Sequence, residues 1–190
     1  MKHYILSVVA GATIALASCG GSSKDAYTIE GKVTNLELEG RTVYLQDAIT
    51  GKIRYDSATV IHGHFTFTGK QDKPVVRELF VQENDSDIFP VTLPIVLENA
   101  DMEVDLGDRV YVGNTSLNKR MMEVLMAVDR FTDQDHSGKS VEEIKSAFGT
   151  LLMEQIVKNA NSVIGSYLYE AYQNKLTEEQ KTEARRVLGV

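Results

Sequence analysis

The spacing of apolar and polar residues changes near residue 115. From residue 27 to residue 112 apolar positions recur with period two between glycines, which is typical of β-strands. From Ser116 onward they recur three and four residues apart, as on one face of a helix. The pattern therefore predicts an α+β chain, with an N-terminal antiparallel β-sandwich or open barrel of about eight strands followed by three or four α-helices.

The first predicted strand shows the alternation most clearly, because Tyr27, Ile29 and Val33 fall on one face and polar residues on the other. His62-Gly63 fits a two-residue hairpin turn. Pro90 and Pro94 indicate an edge strand or a bulge, since proline cannot donate to a ladder. Further strands are predicted at Val43 and Leu45, at Ile53 and Tyr55, and over residues 58–61, 64–68, 75–82, 92–98, 102–106 and 109–112.

Two capping boxes mark helix starts in the C-terminal half. Ser140 is followed three residues later by Glu143, and Thr177 is followed by Gln180. Between these two helices we expect another over residues 162–174, and a first helix begins at Ser116. The predicted apolar stripes are Leu117, Met121, Val124, Leu125 and Val128; Ile144, Phe148, Leu151 and Leu152; Val163, Ile164, Leu168 and Ala171; and Ala184, Val187 and Leu188.

The N-terminus has the three regions of a secretory signal. Lys2 and His3 form a basic start, residues 4–17 are almost entirely apolar, and the tetrapeptide Leu16-Ala17-Ser18-Cys19 closes the segment. The apolar run falls short of the roughly 20 residues that a membrane-spanning helix needs. The pattern resembles bacterial lipoprotein precursors, in which the cysteine is lipidated and becomes the first mature residue. The alternatives are a free thiol behind an uncleaved anchor and a signal peptide cut elsewhere.

These features divide the chain into four predicted segments. Residues 1–18 are a lipoprotein signal peptide, 19–26 a flexible tether, 27–113 the antiparallel β domain and 114–190 a helical annex. Several acyl chains on Cys19 would hold the protein firmly, because each buried CH₂ contributes about 0.8 kcal/mol. Gly20 stands where enterobacterial lipoproteins carry an aspartate resembling an inner-membrane retention signal. We therefore expect a lipid-anchored protein of the cell envelope, at the periplasmic face or cell surface of the outer membrane.

Composition narrows the function classes further. The chain has 27 acidic and 20 basic residues and a net charge of −7, which argues against nucleic acid or anionic lipid as the main partner. Cys19 is the one cysteine. Once it is acylated, we expect no disulfide, no cysteine nucleophile and no thiolate metal site, and we expect no cofactor.

The segment Asp133-Gln134-Asp135-His136-Ser137-Gly138 matches the opening of an EF-hand loop. Asp133, Asp135 and Ser137 are therefore weak candidate calcium ligands. The twelfth loop position, which should be a bidentate glutamate, is Ile144, so a polar loop between helices is the favoured interpretation. His62 and His64 lie two residues apart and could approach one metal ion, but a hairpin tip is favoured and no third ligand is evident.

Other groups of polar or large side chains are also assigned mainly to structural roles or to solvated loops. The segment 113–116 is predicted to be a turn with a helix N-cap rather than a nucleophile elbow. The carboxylate pairs Asp85/Asp87 and Asp105/Asp108 are expected in solvated loops. Two sets are assigned mainly to packing, with a ligand platform or partner surface as the alternative: Tyr167, Tyr169 and Tyr172, and Met121, Met122 and Met126.

Several blocks together resemble a known domain family. They are residues 27–33, 40–45, 56–60 with 63–67, and 97–101, followed by Asn118 and residues 162–167. The resemblance is to the domain of unknown function that precedes a thioredoxin-like domain in many Bacteroidetes-type lipoproteins. That redox domain would carry a Cys-x-x-Cys motif, which this chain lacks. We expect a stand-alone version of the leading domain, with a fragment of a longer protein as the alternative.

The sequence therefore predicts a non-enzymatic envelope lipoprotein that presents a binding module to a protein or glycan partner. The resemblance suggests a second role, as an accessory unit for envelope thiol–disulfide redox or oxidative-stress proteins that would associate with a separate thioredoxin-like protein. A third alternative is a hydrolase with an unrecognised site.

Overall fold

Two four-stranded sheets and four α-helices form the part of the chain that the computed structural model describes, residues 24–82, 84, 90–107 and 110–190. Cys19 and the predicted signal segment lie outside these residues, as do Asp85, Asp87 and Asp108. The strands are β1 Tyr27–Lys32, β2 Thr42–Asp47, β3 Arg54–Thr59, β4 His64–Gly69, β5 Val75–Val81, β6 Val91–Leu97, β7 Asp101–Leu106 and β8 Val110–Val112. The helices are α1 Ser116–Thr132, α2 Val141–Lys158, α3 Val163–Tyr172 and α4 Glu178–Leu188.

The sheets form the predicted sandwich, and the α+β class is confirmed. One sheet (sheet A) has the order β4-β1-β7-β8 and the other (sheet B) the order β3-β2-β5-β6. Sheet A is mixed rather than purely antiparallel, because β1 and β7 pair in parallel. All four strands of sheet B precede β7 in the sequence, and β7 then lies beside β1 and runs in the same direction. Pro94 lies on the edge strand β6, as its missing N–H group predicts.

The alternating apolar residues of both sheets meet in one core. Ile29, Val43, Leu45 and Leu79 are fully buried there, as expected for inward positions of facing sheets. Burying each such side chain stabilises the fold by about 1.5–3 kcal/mol. The rest of this core consists of Tyr27, Val33, Leu38, Val60, Phe65, Phe67, Val81, Leu93, Ile95, Leu97, Met102, Val104, Leu106 and Val112.

The predicted hairpin turn at His62-Gly63 is confirmed. Both residues have positive φ, 52° and 72°, as a type I′ turn requires. The carboxylate of Glu39 accepts hydrogen bonds from both backbone N–H groups, at 2.7 and 2.9 Å. These two bonds hold the pKa of Glu39 below its usual value. The strand before the turn is one strand, β3, and not the two predicted at residues 53–55 and 58–61.

Both capping boxes are present at the predicted residues, Ser140 with Glu143 and Thr177 with Gln180. The helices begin where the sequence places them, and the fully buried positions of the stripes include Val124, Leu152 and Ile164. The methionine stripe is confirmed in part only. Met121 is fully buried, whereas Met126 is 52% exposed.

A second core joins the helices to the outer face of sheet B. Val76 of β5 and Val96 of β6 pack with Met121, Ile156 and Tyr167. Alternate residues of a strand point to opposite faces, so these two valines leave the sandwich core and bury the helical apolar surface. The helices therefore pack on the sheet. Within the described residues, no helix is both long and apolar enough to cross a membrane.

Asn118 of α1 fixes the position of the first helix on the edge of sheet B. Its side chain is fully buried. Its amide nitrogen donates to the backbone carbonyl of Val96, and its amide oxygen accepts from the backbone N–H of Val96, both at 2.8 Å. The amide group thus satisfies backbone groups on the free edge of β6 much as a neighbouring strand would.

Candidate functional site

A cleft lies between the outer face of sheet B and the helices α1 and α3. Its volume is about 490 Å³, within the range usual for small-molecule or side-chain binding sites. The side chains around it are mostly apolar, with a few polar groups. The lining residues are Ala48, Ile49, Glu78, Thr92, Leu93, Pro94, Val110, Met122, Leu125, Val128, Asp129, Tyr167, Ala171 and Tyr172.

Glu78 supplies the charged group on the sheet side of this cleft. It is half-buried on β5, on the same face as Val76, and pairs across the sheet with Gln46 of β2. The amide nitrogen of Gln46, itself buried, donates to a carboxylate oxygen of Glu78 at 2.8 Å. Loss of hydration raises the pKa of Glu78, and the charge of Asp47 adds to this, while the Gln46 hydrogen bond opposes it. A carboxyl group in this environment gains from a cation placed beside it.

Two tyrosines of α3 line the helical side of the cleft, together with residues of α1. Tyr167 is buried and Tyr172 is half-buried. Burial raises the pKa of both phenols, and the nearby charge of Glu78 contributes for Tyr167. Tyr172 also packs edge-on against Phe148, with ring centroids 6.3 Å apart. Both hydroxyls therefore stay protonated at neutral pH and can form hydrogen bonds to a bound group.

A smaller cavity of about 350 Å³ adjoins the cleft on the far side of Ile49 and Tyr167, which line both. Its rim includes Ile53, which is 56% exposed, and Arg77, whose guanidinium lies 3.9 Å from the ring centroid of the exposed Tyr55. Tyr55 of the edge strand β3 and Ile53, which directly precedes that strand, are both exposed, so their alternation does not mark a buried face. The cleft and this rim together offer apolar surface beside a small number of charged groups.

The predicted calcium residues lie in the loop between α1 and α2, away from this cleft. Asp133 is the C-cap of α1, and Asp135 accepts a hydrogen bond from the backbone N–H of Ser137 at 2.8 Å. This bond and one from the Ser137 hydroxyl lower the pKa of Asp135. All three candidate ligands are exposed. Across residues 24–82, 84, 90–107 and 110–190, no group of three or more His, Cys, Asp or Glu side chains is placed to hold a metal ion.

Of the remaining predicted groups, Tyr167, Tyr172 and Met122 line the cleft, and the others do not. His62 lies at the hairpin tip and His64 in β4 opposite Lys32. Asp105 accepts a hydrogen bond from the backbone N–H of Gly107 at 2.8 Å. Tyr169 accepts one from Arg185 at 3.0 Å.

Sequence reasoning missed Glu78 and its partner Gln46. A signal was available, because Glu78 interrupts an otherwise apolar strand, Val-Val-Arg-Glu-Leu-Phe-Val. A charged residue at an outward position is ordinary when that face meets water. Here the same face meets α1 and α3, which lie far along the chain after β5, and the strand pattern carries no information about that contact.

Replacing Glu78 with glutamine is expected to stabilise the protein at neutral pH. The raised pKa means that the folded state keeps a proton that the unfolded state loses above about pH 4.3. As the pH rises from the pKa of Glu78 in the unfolded state to its higher pKa in the folded state, the free energy of unfolding of the wild type should therefore fall relative to that of Glu78→Gln. Urea unfolding between pH 4 and pH 8 measures the difference.

The matched control is Glu154→Gln on the exposed surface of α2, which removes the same charge. Because this side chain is exposed, the substitution should alter stability by less than about 0.5 kcal/mol. A difference between the wild type and Glu78→Gln that does not grow from pH 4 to pH 8 would contradict the desolvated environment assigned to this carboxyl group.

The chain is a two-sheet β-sandwich with a layer of helices packed on the outer face of sheet B. A family model, the domain of unknown function DUF4369, matches residues 27–121, and the chain belongs to this family. The matched segment contains all eight strands and the start of α1, including Asn118. The resemblance inferred from the sequence blocks is thereby confirmed over residues 27–121, and the block at residues 162–167 lies outside the match.

Comparison with solved structures adds a distant likeness. The crystal structure of a DUF3823 family protein from Parabacteroides merdae ATCC 43184 matches with 19% sequence identity and a TM-score of 0.33. The match covers 46% of this chain and 48% of that one, so this chain spans about half the length of that structure. No curated protein matches the chain.

Proposed function

We propose that this protein is a lipid-anchored, non-enzymatic binding module of the cell envelope that holds a protein partner in the cleft between sheet B and the helices. The observation that carries the proposal is the half-buried Glu78 carboxyl group in a cleft that combines apolar side chains with a few polar ones. A carboxyl group that has lost hydration without gaining a cation is poised to accept one from a partner.

The chemistry of the walls favours a basic side chain of the partner. Met122, Leu125 and Val128 offer apolar surface to a methylene stem. Glu78 and Asp129 would then flank the charged head, and the Tyr172 hydroxyl lies on the same cleft. Lysine and arginine combine such a stem with such a head, so we propose that the partner inserts one of them.

The lipobox Leu16-Ala17-Ser18-Cys19 supports the proposed location. Acylation at Cys19 would anchor the chain, and residues 19–26 would separate the sandwich from the bilayer. Outer-membrane residence is part of the same proposal, since Gly20 follows the lipidation site. The acidic net charge of −7 suits attraction of a basic partner rather than contact with an anionic membrane surface.

The proposal is tested by chemical crosslinking in intact cells, followed by purification of the full chain and identification of its partners. The wild type and Glu154→Gln should capture the same partner, and Glu78→Gln should capture it at least about tenfold less, since a desolvated charge pair contributes 2 kcal/mol or more. Equal capture by Glu78→Gln, or turnover of a substrate by the purified wild type, would refute the proposal.

A further inference from the structure

A separate cavity of about 230 Å³ lies on the outer face of sheet B, beside the edge strand β3. It shares no lining residue with the cleft around Glu78. The residues that line it are Gly40, Arg41, Thr42, Tyr44, Arg54, Phe80 and Gln82. Its wall therefore holds two arginines and no acidic residue among the described residues.

The two arginines are held near the cavity without a carboxylate partner. The guanidinium of Arg54 lies 3.6 Å from the ring centroid of Tyr44, and this stacking restrains a side chain that would otherwise be mobile in solvent. Arg41 is half-buried. Within the described part of the chain, the side chains of both arginines lack an ion pair or hydrogen bond to any residue. In a chain with more acidic than basic residues, two arginines that have no acidic side chain beside them among the described residues point to an external anion.

We propose that this cavity binds the carboxylate group of an acidic saccharide. A guanidinium presents a planar fork of N–H donors that matches a carboxylate in two hydrogen bonds. The hydroxyls of Thr42 and Tyr44 are neutral partners suited to sugar hydroxyl groups, and the half-buried ring of Phe80 offers an apolar face. A uronic acid combines these three features, namely one carboxylate, several hydroxyls and an apolar C–H face.

This cavity is separate from the proposed partner cleft, so the saccharide proposal and the partner proposal can be refuted independently of each other. The test is isothermal titration of the full chain with glucuronate, with glucose, with inorganic sulfate and with a short acidic peptide. Glucuronate should bind, and Arg41→Gln/Arg54→Gln should weaken that binding by about tenfold or more, because charge-assisted hydrogen bonds are lost. Arg130→Gln, which removes an exposed charge of α1, should leave the affinity within about twofold, as should Glu78→Gln.

Four results would overturn the inference. They are no glucuronate binding by the wild type, equal binding by Arg41→Gln/Arg54→Gln, sulfate or the acidic peptide binding as tightly as glucuronate, and glucose binding as tightly as glucuronate. The double variant should unfold at the same urea concentration as the wild type within error, since neither arginine is buried in a core. The Tyr44→Leu variant provides a second test, because loss of the stacked ring should weaken glucuronate binding while both charges remain.

Discussion

Replacing Asn118 with leucine is expected to lower the free energy of unfolding by about 2–5 kcal/mol, because the backbone N–H and C=O of Val96 would both lose their partner. The side chain is fully buried, and each of its two bonds to Val96 is 2.8 Å long. Leucine has nearly the same size, so the loss would come from unsatisfied polar groups rather than from a cavity. Urea unfolding of the full chain measures the change.

Two comparisons separate this cause from a general effect on the helix. Lys119→Ala changes the next, exposed residue of α1 and should alter stability by less than about 0.5 kcal/mol. Amide hydrogen exchange at Val96 should accelerate in Asn118→Leu more than at Leu79 of the inner strand β5. A variant as stable as the wild type, or unchanged exchange at Val96, would show that the edge of sheet B does not depend on this amide.

Replacing Gly31 with alanine is expected to destabilise the sandwich by about 2–3 kcal/mol, as overpacking of a filled core does. Gly31 of β1 pairs with Phe65 of β4, and the phenylalanine ring covers the glycine. A methyl group added there would lie 2.0 Å from the nearest ring atom, so the ring must move. Phe65 also packs edge-on against Phe67, with centroids 5.9 Å apart, and this leaves the ring little room.

The double variant Gly31→Ala/Phe65→Leu identifies the clash. Its loss of stability should be smaller than the sum of the two single losses by about 1 kcal/mol or more, since the two residues are in contact. Thr66→Val at the neighbouring exposed position of β4 serves as the control and should have little effect. Strictly additive losses would contradict the steric role of the glycine.

The parts of the fold that depend on local chemistry could be predicted from the sequence. Ser140 with Glu143 and His62 with Gly63 specify their own cap and turn within a few residues, and both are present as expected. The parallel pairing of β1 with β7 could not be predicted, because more than 60 residues separate the two strands and their alternation allows either direction. Exposure of Tyr55 follows from its place on the edge strand β3, which depends on strand order.

The candidate site was less accessible to sequence reasoning than the fold. Tyr167 and Tyr172 could be grouped by helical spacing, but Glu78 and Gln46 meet through a pairing of β2 with β5. Arg41 and Arg54 likewise line one cavity only after β3 folds back on β2. A site assembled from several strands has no sequence motif of fixed spacing. The lipobox around Cys19 is contiguous, so it can be identified from the sequence.

Intact mass spectrometry of the protein purified from its own cells tests most directly whether the sandwich is presented from a membrane. The proposed function predicts a mature chain that begins at Cys19 and carries the added mass of acyl groups on that residue. Detection of a full-length chain with an unmodified Cys19 thiol would contradict it.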